Sequence, residues 1–596
     1  MKSKMGFGTV LLKSLRISFA IKSVPSFLMN IFGFIMAFLP VFISKTLQMF
    51  TDAVQSYQTG LDISYVIEIF LLLMVFYLIQ LIYQSMQDYY AKVDALHIQK
   101  YIKKKILETT YKVRYKYIEN EADFKEKITF IDTDAGIRVA NSVQELILIL
   151  QNILLFCNIV IAFYKVNPII IVVLTITCIP AAILSYYQKD EEYVRNAKWM
   201  KEGALAIHYF IEMGYQPTQQ DIRHFRLYDF MKKSWRALAD KYIRIKNAYT
   251  QKHVLLNSLA DLLRNGVYVF ILYVTIRQIF HNPAGGMGIF MLVFTLAKPF
   301  QDATTKILTS AISFYRDAQY MRDFFSLEDL EYEPDPNVCN IEEAVDDSSI
   351  SYRNVSFVYP GSTKKALDKI NIDIKSGEHV AIVGLNGSGK STFVNLLCGL
   401  YDASEGEVLV ANKNVKENLS FVRNMISVVF QDFGKYEAAS LRDNITMSSQ
   451  EKFLADEDLS ALCKKIDAED LKSVLNGWDE IVGSFNENGA GLSGGQWQKV
   501  ALARALCKDT ARIMILDEPT AAMDPLTEAQ LYRNFALLTS GKTTILISHR
   551  LGITSLVDRI LVFDDGQVVE QGTHKELMEN GGLYSQMYCA QAKWYQ

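Results

Sequence analysis

The sequence predicts an all-α transmembrane domain of six helices with long cytoplasmic helical extensions, followed by an α/β domain built around a phosphate-binding loop (P-loop). Apolar runs of membrane-spanning length crowd into the first 310 of the 596 residues. Further along, "HVAIVGLNGSGKSTFVNLLCGL" has the order strand, glycine-rich loop and helix. A chain of this length is expected to contain more than one domain. We predict a transmembrane domain at 1–335, a linker at 336–347 and a nucleotide-binding domain at 348–596.

Composition restricts the compartment and the partners. The net charge of −3 leaves no basic excess that could neutralise phosphates, so nucleic acid is not expected as a partner. The seven cysteines are widely scattered and none forms a CxxC pair. This pattern predicts reduced thiols, and neither a disulfide framework nor a zinc site.

The apolar runs have the length of membrane spans, which need about 20 mostly apolar residues. The 22 residues between Lys22 and Lys45 carry no charge, and three more uncharged runs of 19 to 23 residues follow. Two weaker runs complete the set. Several helices without a polar face are typical of a membrane protein and not of a soluble one. The predicted spans are 24–44, 66–87, 144–164, 168–188, 258–279 and 285–307.

The positive charges predict the orientation of these spans. Cations precede the first span, and the lysine-rich stretch "QKYIKKKILETTYKVRYK" joins the second span to the third. The connections on the opposite side carry only Lys45 and Lys165. By the positive-inside rule, the N-terminus and the C-terminal domain are cytoplasmic. The compact layout favours a bacterial inner membrane, and segment 9–21 is expected to lie along its inner surface as an amphipathic helix.

The glycine-rich loop at residues 384–391, the phosphate loop, has a mechanism in this context. Glycines allow backbone N–H groups at a helix N-terminus to wrap around phosphates. Lys390 supplies positive charge, and Ser391 offers a hydroxyl to Mg²⁺. The predicted nucleotide-binding residues of this loop and of the helix that follows are Gly384, Asn386, Gly387, Ser388, Gly389, Lys390, Ser391 and Thr392.

Two more buried strands end in reactive side chains. In "ARIMILDEPT", Asp517 is placed to hold Mg²⁺, and Glu518 can orient or deprotonate an attacking water. In "TTILISHR", His549 can reach a γ-phosphate. The segment "LSGGQ" at 492–496, the signature segment, opens a predicted helix and exposes backbone donors to an anion. A second anion site in one domain makes sense if it serves a nucleotide held by another copy.

In this order, the phosphate loop, the signature segment, the "ILDEP" strand and the histidine resemble the ATP-binding cassette (ABC) transporters. Six spans followed by a cassette of about 250 residues resemble an exporter-type half-transporter over the whole chain. The resemblance implies that two chains pair, with each ATP between Lys390 of one chain and Ser493 of the other. It further implies adenine stacking by Tyr359, Mg²⁺ sensing by Gln431, trans contacts by Ser493, Gly494, Gly495 and Gln496, and a link between the two sites through Asp524.

The resemblance also implies coupling helices in the two cytoplasmic connections, near 115–125 and 225–233. One departure precedes the signature segment, where exporters usually carry "ERG". Here Asn488 replaces the arginine between Glu487 and Gly489, which puts the details of coupling in doubt but not the ATPase.

Because every catalytic position is intact in one chain, a homodimer is favoured. A heterodimer with a degenerate partner is the alternative.

Two cations in the last two spans are candidate residues of a substrate cavity. Arg264 and Lys298 are expected at similar depth in the membrane, where charges usually face a cavity or a partner. They could recognise an anionic group such as a peptide carboxylate or a lipid phosphate. The alternative is that they are neutralised by Asp261 and Asp302, which lie three and four residues away on the same helix face. Neutralisation is the favoured interpretation.

The predicted function is ATP-driven export of a substrate by alternating access in a dimer that lies in membrane lipid. A peptide or an amphipathic small molecule is the expected substrate. A lipid flippase, and an ATP-gated channel or membrane sensor, share every feature of this sequence and stay open as alternatives. A soluble cassette ATPase of DNA maintenance does not fit, because it has no membrane spans.

Overall fold

The structure is a computed structural model that describes residues 6–21, 23–57, 63–119, 124, 128, 136–164, 166–214, 216–281, 286–334, 346–449, 454–475, 477–483, 491–518 and 538–593. The chain divides into two compact units. The first contains Met1–Tyr111 and Ala122–Leu330, and the second contains Lys112–Glu121 and Glu331–Gln596. Most of the predicted linker at 336–347 lies outside the described residues.

The described part of the first unit is helical. Its helices are α1 (Phe7–Ile21), α2 (Val24–Met36), α3 (Leu39–Tyr57), α4 (Ile63–Lys112), α6 (Gly136–Tyr164), α7 (Pro168–Gly214), α8 (Gln216–His224), α9 (Tyr228–His281) and α10 (Gly286–Phe325), while α5 (Tyr115–Glu119) belongs to the second unit. Helices α4, α7, α9 and α10 have 40 to 54 residues. At about 1.5 Å per residue they are much longer than the ~30 Å hydrocarbon core of a membrane. The predicted helical domain with extensions is confirmed.

Four stretches of helix are long and apolar enough to cross a membrane: Ile63–Lys112, Gln144–Tyr164, Pro168–Glu192 and Tyr228–Gln278. The predicted first span is two helices, α2 and α3, bent by 41° at their junction, and counting this pair as one span gives five within the described chain. Pro40 explains the break, because it has no N–H to donate to the preceding turn.

The sixth predicted span coincides with α10, which does not meet the same criterion of length and hydropathy. Polar residues, among them Lys298, Gln301 and Asp302, lower the hydropathy of its first half. The count of six spans stays a prediction. The connection between the predicted fourth and fifth spans also differs in detail from the expectation. Its short helix is α8, whereas the predicted segment 225–233 is a turn followed by the first residues of α9.

The second unit contains two sheets in its described part. The strands are β1 (Ile350–Val358), β2 (Lys365–Ile374), β3 (His379–Gly384), β4 (Glu405–Val410), β5 (Lys413–Asn414), β6 (Ile426–Val429), β7 (Ile513–Asp517), β8 (Thr543–Ile547), β9 (Arg559–Asp564) and β10 (Gln567–Gly572). Four of them form an antiparallel sheet in the order β2–β1–β4–β5. The other six have the order β10–β9–β3–β8–β7–β6, and all are parallel except β10.

Helices pack around these sheets and complete an α/β fold. They are α11 (Lys390–Leu397), α12 (Leu419–Met425), α13 (Leu441–Thr446), α14 (Asp456–Lys465), α15 (Asp470–Val474), α16 (Gly494–Leu506), α17 (His574–Asn580) and α18 (Leu583–Ala592). Tyr352 of β1 stacks on Phe393 of α11 with ring centroids 4.0 Å apart. Its hydroxyl donates a hydrogen bond of 2.8 Å to the carbonyl oxygen of Phe393. This buried contact fixes α11, and with it the phosphate loop, against the antiparallel sheet.

The parallel strands gather the predicted site at one edge. Strands β3, β8, β7 and β6 are consecutive in the sheet, so their carboxyl ends meet there. The phosphate loop follows β3, His549 follows β8, and Glu518 follows β7. Gln431 comes two residues after β6. The fold therefore brings together residues that are up to 165 positions apart in the chain.

Candidate nucleotide site

The phosphate loop has a backbone that only glycine fits at two positions. Gly389 has φ +105°, and a Cβ placed there would lie 2.7 Å from the carbonyl oxygen of Ala366. A Cβ on Gly384 would lie 2.2 Å from the carbonyl oxygen of Phe563. Gly389 is the N-cap of α11 and makes no side-chain capping bond, so the first N–H groups of that helix lack a side-chain acceptor from this position. The loop thus has the backbone of an anion cradle.

Lys390 lies at the start of α11 and folds back onto the loop. Its Nζ donates hydrogen bonds of 2.9 Å to the carbonyl oxygens of both Gly384 and Leu385. Burial lowers the pKa of this lysine, and the nearby carboxylates of Glu518 and Asp517 oppose the shift. The Ser388 hydroxyl in the same loop is buried without a hydrogen-bond partner. A phosphate group in the loop would give both side chains an acceptor, so the residues fit a nucleotide.

Two predicted catalytic residues, His549 and Gln431, converge on the carboxylate of the third, Glu518. Glu518 Oε1 lies 2.8 Å from His549 Nε2, and its Oε2 accepts a hydrogen bond of 3.1 Å from Gln431 Nε2. The backbone of Glu518 is in the left-handed region, with φ +49°. Its N–H donates to the carbonyl oxygen of Ile547, and its carbonyl oxygen accepts from Gln498 Nε2 at 3.1 Å. The sequence did not predict a role for Gln498.

Asp517 is the last residue of β7 and is 5% exposed. Burial, with a smaller contribution from the charge of Glu518, raises the pKa of the Asp517 carboxyl to about 6. Among the described residues, no group of three or more His, Cys, Asp or Glu side chains is arranged to hold a metal ion. Mg²⁺ that binds together with a nucleotide needs only one or two carboxylates, because phosphates and water complete its shell. The oxygens of Ser391, Gln431 and Asp517 are of the hard type that Mg²⁺ prefers.

Tyr359, the predicted adenine-stacking residue, is anchored at both ends. Its hydroxyl lies 3.1 Å from Thr392 Oγ1, in the first turn of α11. Its ring meets the ring of Tyr401 edge-on, with centroids 5.4 Å apart. Tyr401 in turn meets Tyr115 of α5 at 5.7 Å and an interplanar angle of 90°. A row of three tyrosines therefore connects α5 with the predicted adenine site, and the sequence did not predict it.

Helix α5 lies in the first predicted coupling region at 115–125, and it belongs to the second unit. Arg114 forms an ion pair with Asp402, and the Lys116 ammonium lies 2.5 Å from the carboxylate of Glu331. The backbone N–H of Glu333 donates a hydrogen bond of 2.7 Å to the carbonyl oxygen of Lys112. These contacts fix the segment on the nucleotide-binding part of the chain. Most of residues 120–125 lies outside the described chain.

The signature segment begins α16 with a capping box. The hydroxyl of Ser493 accepts from the N–H of Gln496, whose side chain accepts from the N–H of Ser493 at 2.9 Å. Gln496 Nε2 and Lys499 Nζ both contact the carboxylate of Asp470, at 3.3 and 3.2 Å. Ser493 and Gly494 are exposed. The helix N-terminus thus faces solvent within this chain, and its predicted service to another copy stays a prediction. Asp524 and the 487–489 segment lie outside the described residues.

In the first unit, both candidate substrate-cavity cations have carboxylate partners. Arg264 lies 3.0 Å from Asp261 and 3.6 Å from Asp302. Lys298 lies 3.6 Å from Asp302 and donates to Asn265 Oδ1 at 3.3 Å. The cluster thus contains two cations and two anions. Its geometry agrees with the neutralisation that the spacing suggested, and a role in substrate binding stays a hypothesis.

This cluster gives a stability prediction. Asp302→Asn leaves Lys298 without its carboxylate and removes one of the two from Arg264, so we expect a lower Tm in detergent because a cation in apolar surroundings is costly without a partner. The double variant Lys298→Gln/Asp302→Asn restores the charge balance and should recover much of the loss. Thermal unfolding of the two variants and the unmodified protein measures both effects. Equal Tm values for all three would show that the pairing does not stabilise the bundle.

Sequence and structure comparisons define the class of this protein. A model of the ABC transporter family matches residues 367–521. The subtilin transport ATP-binding protein SpaT of Bacillus subtilis is 30% identical over 532 residues, which cover 88% of this chain and 85% of SpaT. The ATP-dependent lipid A-core flippase of Vibrio vulnificus strain YJ016 is 37% identical over 306 residues, 51% of this chain and 50% of the flippase. A solved bacterial Atm1-family ABC exporter with ATP bound has the same fold, with TM-score 0.79, 22% identity and coverage of 96% of this chain and 98% of that chain.

A phosphate-loop ATPase domain joined to a multi-pass helical membrane domain is the architecture of a transport ATPase. The chain belongs to the ABC transporter family, as an exporter-type half-transporter. Its activity is ATP hydrolysis coupled to transport, and it is an integral membrane protein. Half-transporters of this type generally work as dimers.

Proposed function

We propose that two copies of this chain form a homodimer in a bacterial inner membrane, with the nucleotide-binding part in the cytoplasm, and export a peptide or an amphipathic small molecule. The observation that carries the proposal is the convergence of His549 and Gln431 on Glu518 beside the phosphate loop. This is a complete catalytic cluster within one chain, so a homodimer has two competent sites. The lysine-rich stretch between the predicted second and third spans supports the proposed orientation, because positively charged connections usually lie on the cytoplasmic side.

The proposed mechanism begins with Lys390. In the structure its ammonium is satisfied by two loop carbonyls. When ATP enters, we propose that the ammonium contacts the β- and γ-phosphates instead, while Tyr359 stacks on adenine. Mg²⁺, held by Ser391, Gln431 and Asp517, would supply positive charge next to the phosphates. In the dimer, the exposed start of α16 would face the γ-phosphate of the partner's nucleotide with Ser493 and the following backbone N–H groups.

Hydrolysis would then depend on Glu518. Its carboxylate accepts a proton from water while the water oxygen attacks the γ-phosphorus, and the bond to the bridging oxygen breaks to give ADP and phosphate. Gln431 and His549 hold that carboxylate from two sides in the structure. We propose that closure of the two ATP-bound cassettes turns the membrane cavity outward and that hydrolysis resets it.

A lipid flippase is the second candidate, because one relative that matches half of this chain is named as a lipid A-core flippase. A relative that matches most of the chain is named for subtilin transport, and this longer match favours export. Arg264 and Lys298 are both ion-paired with aspartates, so neither is free to bind an anionic group of a substrate. This position therefore favours neither the exporter nor the flippase. An ATP-gated channel or membrane sensor is the remaining alternative.

The homodimer can be tested directly. The chain purified alone into lipid nanodiscs should have a protein mass of two copies of 67.8 kDa by light scattering, and it should hydrolyse ATP without another protein. A monomer, or a dimer without ATPase activity, would favour the heterodimer with a different partner chain.

The raised pKa of Asp517 predicts a pH dependence of the Mg²⁺ requirement. An ordinary aspartate stays ionised down to about pH 4, whereas this carboxyl takes up a proton as the pH falls through about 6. Since Mg²⁺ binds the carboxylate form, the Mg²⁺ concentration for half-maximal ATPase should rise up to about tenfold per pH unit below that point. Asp517→Asn controls for titration of the nucleotide itself and should show a higher requirement with a flatter pH dependence. An unchanged pH dependence in Asp517→Asn contradicts the role of Asp517.

A further inference from the structure

The backbone around His549 is held by a residue from the end of the chain. The side-chain oxygen of Gln591 accepts a hydrogen bond of 2.7 Å from the N–H of Leu551. Its Nε2 donates one of 2.8 Å to the carbonyl oxygen of His549. The side-chain amide of Gln591 therefore holds the backbone on both sides of Arg550, at His549 and at Leu551, and the orientation of the histidine depends on this segment. Ser548 adds a local restraint, because its hydroxyl accepts from the N–H of Arg550 at 2.9 Å.

Gln591 is presented by a helix that is itself well anchored. Tyr584, seven residues earlier and so on the same face of α18, is fully buried. Its hydroxyl lies 2.7 Å from Thr554 Oγ1 and 2.6 Å from His574 Nδ1. The carboxylate of Glu570 accepts from the N–H groups that begin the helix, of Leu583 at 2.5 Å and of Tyr584 at 3.2 Å. A rigid helix can hold a side chain in place better than a loop can.

This helix also forms one wall of a cavity next to the phosphate loop. The cavity has a volume of about 770 Å³, and Gly384, Leu385 and Asn386 of the loop line it together with His549. Helix α18 contributes Met587, Ala590 and Gln591 to the lining of the same cavity. The C-terminal helix thus reaches the nucleotide site through the same segment that carries the histidine.

We propose that Gln591 is a positioning residue for His549. Through the two hydrogen bonds of the Gln591 side chain to the backbone of His549 and Leu551, helix α18 sets the rate of hydrolysis. The inference rests on the proposed role of His549 beside Glu518. The His549 imidazole and the Glu518 carboxylate are 2.8 Å apart, a distance that a small displacement of the backbone would break. The amide of Gln591 bonds to the His549 segment, whereas Lys390 bonds to carbonyls of its own loop, so nucleotide binding should not depend on Gln591.

The test is a double-mutant cycle between Gln591 and His549. Gln591→Ala should lower kcat for ATP about tenfold, because two hydrogen bonds that hold the histidine are lost, and it should leave KM unchanged. In the His549→Ala background the same change should alter kcat by less than about twofold, since the group that it positions is gone. Gln591→Glu, which keeps the acceptor for Leu551 but loses the donor to His549, should resemble Gln591→Ala. Gln586→Ala, at an exposed position of the same helix, is the matched control.

Each alternative result has a distinct meaning. A kcat within twofold of the unmodified protein for Gln591→Ala, an equal loss in both backgrounds, or a loss in KM instead of kcat overturns the positioning role. Thermal unfolding of every variant separates these results from misfolding, and Gln591→Glu, which keeps the size of the side chain, replaces Gln591→Ala in the cycle if the alanine variant does not fold. If His549→Ala itself hydrolyses ATP normally, the proposed role of His549 fails together with this inference. If His549→Ala lowers kcat but Gln591→Ala does not, the positioning role of Gln591 fails and the proposed role of His549 stands.

Discussion

Replacing Glu518 with glutamine is expected to lower kcat for ATP hydrolysis by about 10²–10⁴-fold, the usual contribution of a general base, while ATP still binds. The amide has the size of the carboxylate but cannot accept the proton of the attacking water. Contacts to Gln431 and His549 can be kept in part, because an amide also offers an oxygen and an N–H group. The loss should therefore appear in the chemical step and not in nucleotide affinity. Steady-state ATPase assays and equilibrium binding of labelled ATP measure the two quantities.

The matched control for this variant is Glu579→Gln, which makes the same chemical change at an exposed position of α17. It should leave both kcat and ATP affinity unchanged. If Glu518→Gln keeps kcat within a few-fold of the unmodified protein, another group must act as the base. If it loses ATP binding as well, the carboxylate has a structural role that the contacts in the structure do not suggest.

Replacing Lys390 with alanine is expected to abolish ATP binding at working concentrations. Each charge-assisted hydrogen bond to a phosphate contributes about 1.5–3 kcal/mol, so the loss of one such bond lowers affinity roughly 10–150-fold, and this ammonium can make several. The deletion also removes the two bonds of Nζ to the loop carbonyls, so the empty loop should become less well ordered. Titration with ATP and hydrogen exchange of the loop report these two effects separately.

Lys575→Ala, at an exposed position of α17, is the control for removal of a lysine charge. The pair of variants at Lys390 and Glu518 should differ in kind, with binding lost in the first and kept in the second. An unchanged ATP affinity in Lys390→Ala would mean that the backbone N–H groups of the loop hold the phosphates alone. The phosphate loop would then differ in mechanism from the one that its sequence indicates.

The fold of the nucleotide-binding part could be predicted because its motifs dictate local geometry. Gly384 and Gly389 occupy positions where a Cβ would collide with backbone, so the spacing of glycines in the sequence reports the shape of the loop directly. Asp517 ends a fully buried strand and Glu518 follows it, and such strands are readily identified as apolar runs. The meeting of Glu518 with Gln431 and His549 follows from the order of the parallel strands.

Other features depend on contacts between distant residues that no local pattern encodes. Gln591 and His549 are 42 positions apart, and a glutamine near a C-terminus has no distinctive signal. Tyr115 meets Tyr401 across almost half of the chain, which places a piece of the connection between the predicted second and third spans in the second unit. The bend between α2 and α3 does have a local signal in Pro40, which a prediction from the uncharged run alone does not use.

ATP-driven export is the central claim, and untargeted mass spectrometry of cells and medium tests it most directly. Two strains would be compared, one expressing this chain and one expressing the Glu518→Gln variant at equal level in the membrane. We expect at least one compound to accumulate in the medium with the active chain and to stay in the cells with the variant. Identical profiles in the two strains, while the purified chain hydrolyses ATP, would contradict export and favour a flippase or a gated membrane protein.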